Sequence, residues 1–516
     1  MGVISLFSAR ASMLVTVLAL GVSTTPVLAQ AQQNVSEDAV LAALEKLPGY
    51  IASTQQRSGV PGIAVAVVHN NKTLFAKGFG IRKKGEPGAV DEHTVFQLAS
   101  LSKPISATIA ATQITQGKLG WHDPVSDYLP DFALASAYVT RQATIGDLMA
   151  HRSGLPAAAG DELEDIGFSR AQIIARLQQQ PLTAFRLSHA YANFSTTTAA
   201  EAVAAAANTS WEQLAEASLF QPLGMTRTSA RYQDYLAHDN RASLHAFENE
   251  QFQPLYQRTP DAQSPAGGVS SSVADLALWL KLLLNTGKGE SALLTQAALL
   301  PAMSPQTLHK PLPSLLKPPS FYGYGFNVGF DEAGDLRLGH SGAFLLGAST
   351  AFQLWPAADI GMVVLTNGGP VGVPESLIAD FTDTVRYGSP QRDWYAAYRE
   401  PMKTLYQPVG DLAGQQAPTS PTPAQANESY TGEYKSTYFG PAVITQQQGA
   451  LLLTLGPARV PLPLTHWSGN TFAIEPNNEN APAGSRSSVH FTVENGKATG
   501  FTIAYLDQHG LARWQR

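Results

Sequence analysis

Ile63, Val65 and Val67 alternate with Ala64, Ala66 and Val68, so neither face of this run is polar. That pattern predicts a strand covered on both sides. His69-Asn70-Asn71-Lys72 supplies a turn and Thr73 to Phe79 returns, giving a β-hairpin over Gly62 to Gly80. A second hairpin is predicted late in the chain, with Ala348 to Trp355, a turn around Pro356 to Asp359, and Ile360 to Thr366. The stretch between the hairpins reads as helical. Leu101, Ile105 and Ile109 recur at four-residue spacing, and Gly117 ends that run as a C-cap glycine does. Asp275 to Leu284 repeats the helical period, and another helix is predicted from roughly Glu37 to Ser53. Strands at both ends with helices between them predict an α+β fold whose terminal strands meet in one sheet.

The pattern changes after residue 400. Gln407 to Glu428 is rich in Pro, Gln, Ala, Thr and Gly and reads as a linker. Beyond it, Ala442 to Thr445, Leu451 to Leu455, Val489 to Val493 and Gly500 to Tyr505 are short apolar runs between turn signals, the mark of a small antiparallel β domain. The predicted organisation is a leader over 1–29, a large domain over 30–400, a linker over 401–428 and a β domain over 429–516. There is no internal repeat.

Composition narrows the chemistry. A formal charge of −6 with no block of Lys or Arg leaves nothing to neutralise a phosphate backbone, so nucleic acid is not an expected partner. Cysteine is absent, which excludes disulfides, thiol catalysis, thiolate metal sites and a lipid-carrying export signal. Arg10, the apolar stretch Met13 to Val22 and Val27-Leu28-Ala29 form the three-part pattern of a secretory signal peptide. Cleavage after Ala29 and a periplasmic or secreted mature protein without a membrane anchor are therefore expected; the oligomeric state is left open.

Three short clusters carry candidate chemistry. Ser100-Leu101-Ser102-Lys103 opens a helix, and residues three apart share a face, so the Lys103 amine reaches the Ser100 hydroxyl. A lysine whose pKa is depressed by burial can take the serine's proton. The Ser100 N–H at the helix start is available to a developing oxyanion, and Pro104 lies in the first turn, where it costs little. In an extended Tyr191-Ala192-Asn193, phenol and amide face one cleft. The phenol can relay a proton and the amide can bind a substrate carbonyl. His340-Ser341-Gly342 precedes the late hairpin, where a strand edge can pair with an extended substrate and Ala343 can supply a second oxyanion N–H. Each cluster alone has an ordinary reading: a capped amphipathic helix, surface polar groups, a structural histidine.

In the order Ser-x-x-Lys, Tyr-x-Asn, His-x-Gly they resemble the serine β-lactamases and penicillin-binding proteins. Phe96 to Lys103, Ile145 to Pro156, Pro222-Leu223-Gly224-Met225, Pro265-Ala266-Gly267-Gly268 and Tyr322-Gly323-Tyr324-Gly325 extend the likeness from about Val60 to Gly369. It is closest to the class C β-lactamase and D,D-peptidase branch (peptidase S12). The resemblance implies a sheet flanked by helices and joined to an all-helical lobe, with the site between them. It also implies an acyl-enzyme hydrolase acting on small-molecule or peptide substrates without cofactors. The tail resembles a β-barrel-like domain that follows such domains in bacterial proteins. His340 stands where class C enzymes carry a lysine, and a histidine is only partly charged near neutral pH, which is closer to the peptidase and esterase members. Peptide amide bonds are the preferred substrate class; a carboxylesterase or weak β-lactamase is the alternative.

Two other readings use the same chain. Gly339-His340-Ser341-Gly342-Ala343 nearly matches a nucleophile elbow, with Asp359 and His466 as partners, but the strand–helix alternation that such a fold needs is missing. A sensor that is acylated without turnover is the other, and Tyr191 argues against it. Metal binding is not expected, because His151 and His189 have no ligand partners at helical or loop spacing. Asp161, Glu162, Glu164 and Asp165 read as a solvated acidic loop.

Overall fold

The computed structural model describes residues 35–286, 289, 292–310 and 319–516. The expected signal peptide lies outside the described residues.

Helix α1 (Glu37–Ser58) begins at Ser36, whose hydroxyl accepts from the Ala39 N–H at 3.2 Å, and stops at Gly59, which takes φ +72°. It runs past the expected Ser53 because no breaker intervenes before that glycine. Strands β1 (Gly62–His69) and β2 (Lys72–Gly80) follow, with Asn70 and Asn71 at φ +47° and +60°, the left-handed pair that a two-residue hairpin turn requires. The remaining strands of this sheet are β3 (Thr307–Lys310), β4 (Ser320–Tyr322), β5 (Asn327–Phe330), β6 (Leu336–Phe344), β7 (Ala348–Trp355) and β8 (Ile360–Thr366). They form one antiparallel sheet in the order β2-β1-β8-β7-β6-β5-β4-β3. Ile63 pairs with Thr366 and His69 with Ile360, so the first and last strands do meet.

Five further helices frame the site: α2 (Ser102–Thr115), α3 (Asp161–Asp165), α4 (Asn193–Ala206), α5 (Val273–Thr286) and α6 (Val373–Tyr387). All of β1 is buried, and its alternation sorts into two cores. Ile63, Val65 and Val67 pack with Val40, Leu47, Leu377 and Phe381 of α1 and α6. Ala64, Ala66 and Val68 face the other way, toward Leu101, Ile105, Trp279 and Leu280 of the helical lobe. Small residues on that side let α5 approach β1 and β8 closely.

The tail is a closed, eight-stranded antiparallel barrel running from Gly432–Ser436 to Arg513–Gln515. Four of its strands were legible as apolar runs. Pro461–Ser468 and Thr471–Ile474 were not, since prolines and brevity hide them until ring closure supplies partners on both edges. Tyr430, Phe472, Phe491, Phe501 and Trp514 are buried, with ring centroids 4.8 Å apart for Tyr430–Phe491 and 5.0 Å for Phe501–Trp514. Residues 407–426 hold no helix or strand, yet they are laid along the barrel: Asp411 accepts from the Ser488 N–H at 2.8 Å, and Thr422 O accepts from the Gly469 N–H at 2.7 Å.

Candidate active site

Ser100 lies in a single 3-10 turn, Ala99–Leu101, that runs directly into α2. Ala99 takes φ +49°, a conformation that costs a non-glycine residue about 1 kcal/mol and that surrounding contacts must hold. The Ser102 hydroxyl does so, donating to Ala99 O at 2.8 Å and accepting from the Val269 N–H at 3.0 Å. The Thr350 hydroxyl donates to Leu98 O at 2.7 Å. The turn is thereby pinned between the sheet and the helical lobe, with Ser100 partly exposed.

Lys103 is completely buried one helical turn on. Its amine donates to Ser100 Oγ at 3.2 Å, to Asn193 Oδ1 at 2.7 Å and to Ala266 O at 3.0 Å. Burial lowers its pKa from 10.5 to about 7, and the charge of Asp161 opposes that shift. Tyr191 covers the same amine, with Nζ 4.5 Å from the ring centroid, and its phenol hydrogen-bonds to Ser100. Burial raises the phenol pKa and the Ser100 bond works against that, so Tyr191 rests protonated. The three residues of the first two clusters therefore converge on one hydroxyl.

Asn193 is placed differently from expectation. It is the first residue of α4 and not part of an extended loop, and both ends of its amide are engaged: Oδ1 on Lys103 and Nδ2 on Asp161 Oδ2 at 3.0 Å. It orients the lysine, and the expected bond to a substrate carbonyl is replaced by this one. The acidic segment also differs. Asp161 to Asp165 is helix α3, with Asp161 and Glu164 buried instead of solvated. Burial raises the Asp161 carboxyl well above its usual range, with Glu164 and Glu162 adding to the rise and Lys103 opposing it. The sequence showed only that acids cluster here; folding sets Glu164 against Arg258 and Gln263 and Asp161 against the Asn193 amide.

Strand β6 carries the third cluster. Gly342 packs so closely that a Cβ there would lie 2.3 Å from Leu98 O and 2.9 Å from the Ser100 nitrogen, so only glycine allows the strand against the Ser100 turn. Ser341 and Ala343 point to the opposite face, where both are exposed and the Ser341 hydroxyl bonds Glu375 of α6. His340 is buried on the Gly342 side. Its Nδ1 lies 2.6 Å from Ser341 O and its Nε2 3.0 Å from the Tyr322 hydroxyl, an arrangement met by Nδ1–H donating and Nε2 accepting. Burial and Lys103 hold its pKa at about 3. The expectation of a partly charged histidine is corrected: it is neutral, and both nitrogens are occupied. From Leu336 to Gly339, β6 pairs with β5, but from His340 onward that edge has no strand partner among the described residues, while β7 covers the other edge.

Sequence reasoning missed His151 except as a non-ligand, although it lies in the quoted Ile145 to Pro156 stretch. Its carbonyl accepts from the Ala190 N–H at 2.8 Å and its Nδ1 from the Ala192 N–H at 3.3 Å, which clamps Tyr191 between them. The rings of His151 and Tyr191 sit 4.5 Å apart. His189 and His309 meet edge to face nearby, with centroids 4.7 Å apart, and burial lowers the pKa of all three, His189 to about 4. Among the described residues, no group of three or more His, Asp or Glu is arranged to hold a metal ion. The elbow reading fails on geometry, because Ser341 bonds Glu375 while His466 sits in the barrel with its Nε2 3.2 Å from Gly469 O.

Comparison with known proteins agrees with this architecture. The family model described as Beta-lactamase matches residues 47–382, and a domain of unknown function, DUF3471, matches residues 416–513. Penicillin-binding protein 4 of Amycolatopsis lactamdurans is 28% identical over 324 residues, covering 60% of this chain and 81% of that protein. An unguisins hydrolase of Aspergillus campestris is 23% identical over 411 residues, covering 76% of this chain and 75% of its own. The octameric penicillin-binding protein homologue from Pyrococcus abyssi superposes with a TM-score of 0.59 at 19% identity, over 92% of this chain and 100% of that one, a likeness of fold. The chain belongs to the β-lactamase family of hydrolases, with a DUF3471 barrel behind the catalytic fold.

Proposed function

We propose that this protein is a serine acyl-hydrolase that forms a covalent acyl-enzyme on Ser100 and cleaves amide bonds of peptides. The observation that carries the reading is the convergence of a buried lysine with a pKa of about 7 and a protonated phenol on one serine hydroxyl. Neutral Lys103 takes the Ser100 proton as Oγ attacks the carbonyl, and the oxyanion is held by the Ser100 and Ala343 N–H groups. Tyr191 passes a proton to the leaving amine and is resupplied by Lys103. Water then attacks the ester with the same groups working in reverse, which releases the acid and restores the serine.

The edge of β6 beside Ser100, without a strand partner among the described residues, favours extended substrates such as peptides, which can add to it as a strand does. A neutral His340 offers no fixed charge to a substrate carboxylate, which favours neutral acyl donors and disfavours rapid β-lactam hydrolysis. We also propose export to the periplasm or medium, on the three-part pattern of residues 1–29. Fractionation of expressing cells tests that, and retention of the full-length chain in the cytoplasm overturns it.

The decisive experiment is a panel of linear L-peptides, a D,D-dipeptide, short-chain nitrophenyl esters and a chromogenic cephalosporin, assayed on wild type and on Ser100→Ala. Turnover of peptides that Ser100→Ala abolishes is the expected result. Turnover that survives in Ser100→Ala, or that Ser341→Ala abolishes instead, overturns it.

A further inference from the structure

The barrel touches the active strand directly. The turn that joins β6 to β7 follows Ala343 by two residues, and its amides are met by one side chain from the barrel. Glu479 Oε1 accepts from the Leu345 N–H at 2.7 Å and Oε2 from the Leu346 N–H at 3.4 Å. Glu479 lies in the segment between the barrel strands Thr471–Ile474 and Ser487–Glu494, and that segment braces itself. Asn478 and Ala481 exchange backbone bonds at 3.1 and 3.3 Å, and the Asn478 side chain accepts from the Asn480 N–H at 3.0 Å. Two neighbours fasten it to the catalytic domain: Asn477 Nδ2 donates to the Tyr256 hydroxyl at 2.8 Å, and Asn480 Nδ2 to Asp165 Oδ2 at 2.8 Å. On the other side of the turn, Gly347 lies against the His245 backbone, so closely that a Cβ would fall 2.2 Å from the His245 nitrogen. The turn is held between His245 and Glu479.

We infer that Glu479 is a positioning residue of the active site, through which the C-terminal barrel sets where β6 presents the Ala343 N–H to the Ser100 reaction centre. This inference rests on the acyl-enzyme reading above. A carboxylate that fastens two consecutive amides at the end of a strand removes that strand's freedom to slide or twist. An oxyanion donor misplaced by a fraction of an ångström loses stabilisation of the transition state while ground-state binding is untouched. The barrel is then a working part of the hydrolase.

The test uses the full chain and p-nitrophenyl acetate, with active sites counted from the fluorescent-penicillin burst so that rates are per competent serine. Glu479→Ala is expected to lower kcat about a hundredfold and Glu479→Gln, which keeps one acceptor for Leu345, about tenfold, with KM within about twofold of wild type in both. Arg176→Ala, which breaks a contact between the barrel and the catalytic fold away from β6 and from the Glu479 segment, is expected to keep the wild-type kcat. A purely structural role would lower the number of competent serines and the thermal midpoint but leave the rate per site alone. If Glu479→Ala does not fold, Glu479→Gln decides: kcat per site within twofold of wild type overturns the inference, as does an equal loss in Arg176→Ala. Wild-type turnover that is absent, or that persists in Ser100→Ala, instead overturns the acyl-enzyme reading.

Discussion

Burial brings Lys103 to about 7, so near neutral pH roughly half the molecules hold a free amine able to take the Ser100 proton. Turnover should therefore rise with pH through an acid limb with an apparent pKa of about 7, read from kcat/KM; a flat profile from pH 5 to 8 would remove Lys103 as the base. Asp161 holds the proton on that lysine, so Asp161→Asn should move the limb to lower pH as well as slow the reaction by loosening Asn193. The same shift has a stability consequence. The folded pKa lies below the 10.5 of the unfolded chain, so between those values the unfolded state binds the extra proton and folding grows more favourable as pH rises. Replacing Lys103 by Met should flatten the slope of unfolding free energy between pH 7 and 9, measured by urea melts. Three residues of this site were legible from spacing: Ser100, Lys103 and Tyr191. Asp161, His151 and Tyr322 were not, because they act through neighbours that only folding brings near.

At the scale of elements, the site is a meeting of one helix start, one strand and one histidine-clamped loop. The helix start and the strand are tied by the close approach at Gly342. Gly342→Ala would force its Cβ onto Leu98 O and toward the Ser100 nitrogen, so the strand must retreat. The expected result is a loss of acylation of about a hundredfold with a stability cost of about 1–3 kcal/mol; acylation by fluorescent penicillin at an unchanged rate would contradict it. Tyr322→Phe leaves His340 Nε2 buried without its partner and should cost about 1–3 kcal/mol in a denaturant melt. The alternating pattern of β1 and the four-residue spacing of α2 predicted both elements, since those periods follow from backbone geometry alone. The same logic misplaced Asn193, because an isolated triplet has no period to read.

Over the whole molecule, the barrel and the catalytic fold share a polar seam. The Tyr438 hydroxyl donates to Glu162 Oε1 at 2.8 Å and also meets Gln180 Nε2, while Arg176 Nε donates to Tyr438 O at 2.9 Å. Gly167 and Gly456 bring the two backbones together, since a Cβ on either would lie within 3 Å of the other domain. The two parts should therefore melt in one calorimetric transition, and Tyr438→Phe should lower its midpoint; two resolved peaks in the wild type would show that the seam does not couple them. A proline- and glutamine-rich stretch that reads as a tether proves to be bonded along the barrel, a contact that composition does not encode.

Taken alone, the sequence determined the periods of the strands and helices, the order of the serine, lysine and tyrosine clusters, and the family they belong to. Those are properties of residues near one another in the chain. The tertiary structure alone decided that His340 is neutral and bound to Tyr322, that the acids of α3 are buried behind Lys103, and that the barrel grips the turn after the active strand. Burial and hydrogen-bond partners are set by residues far apart in sequence, and it is they that fix charge and position.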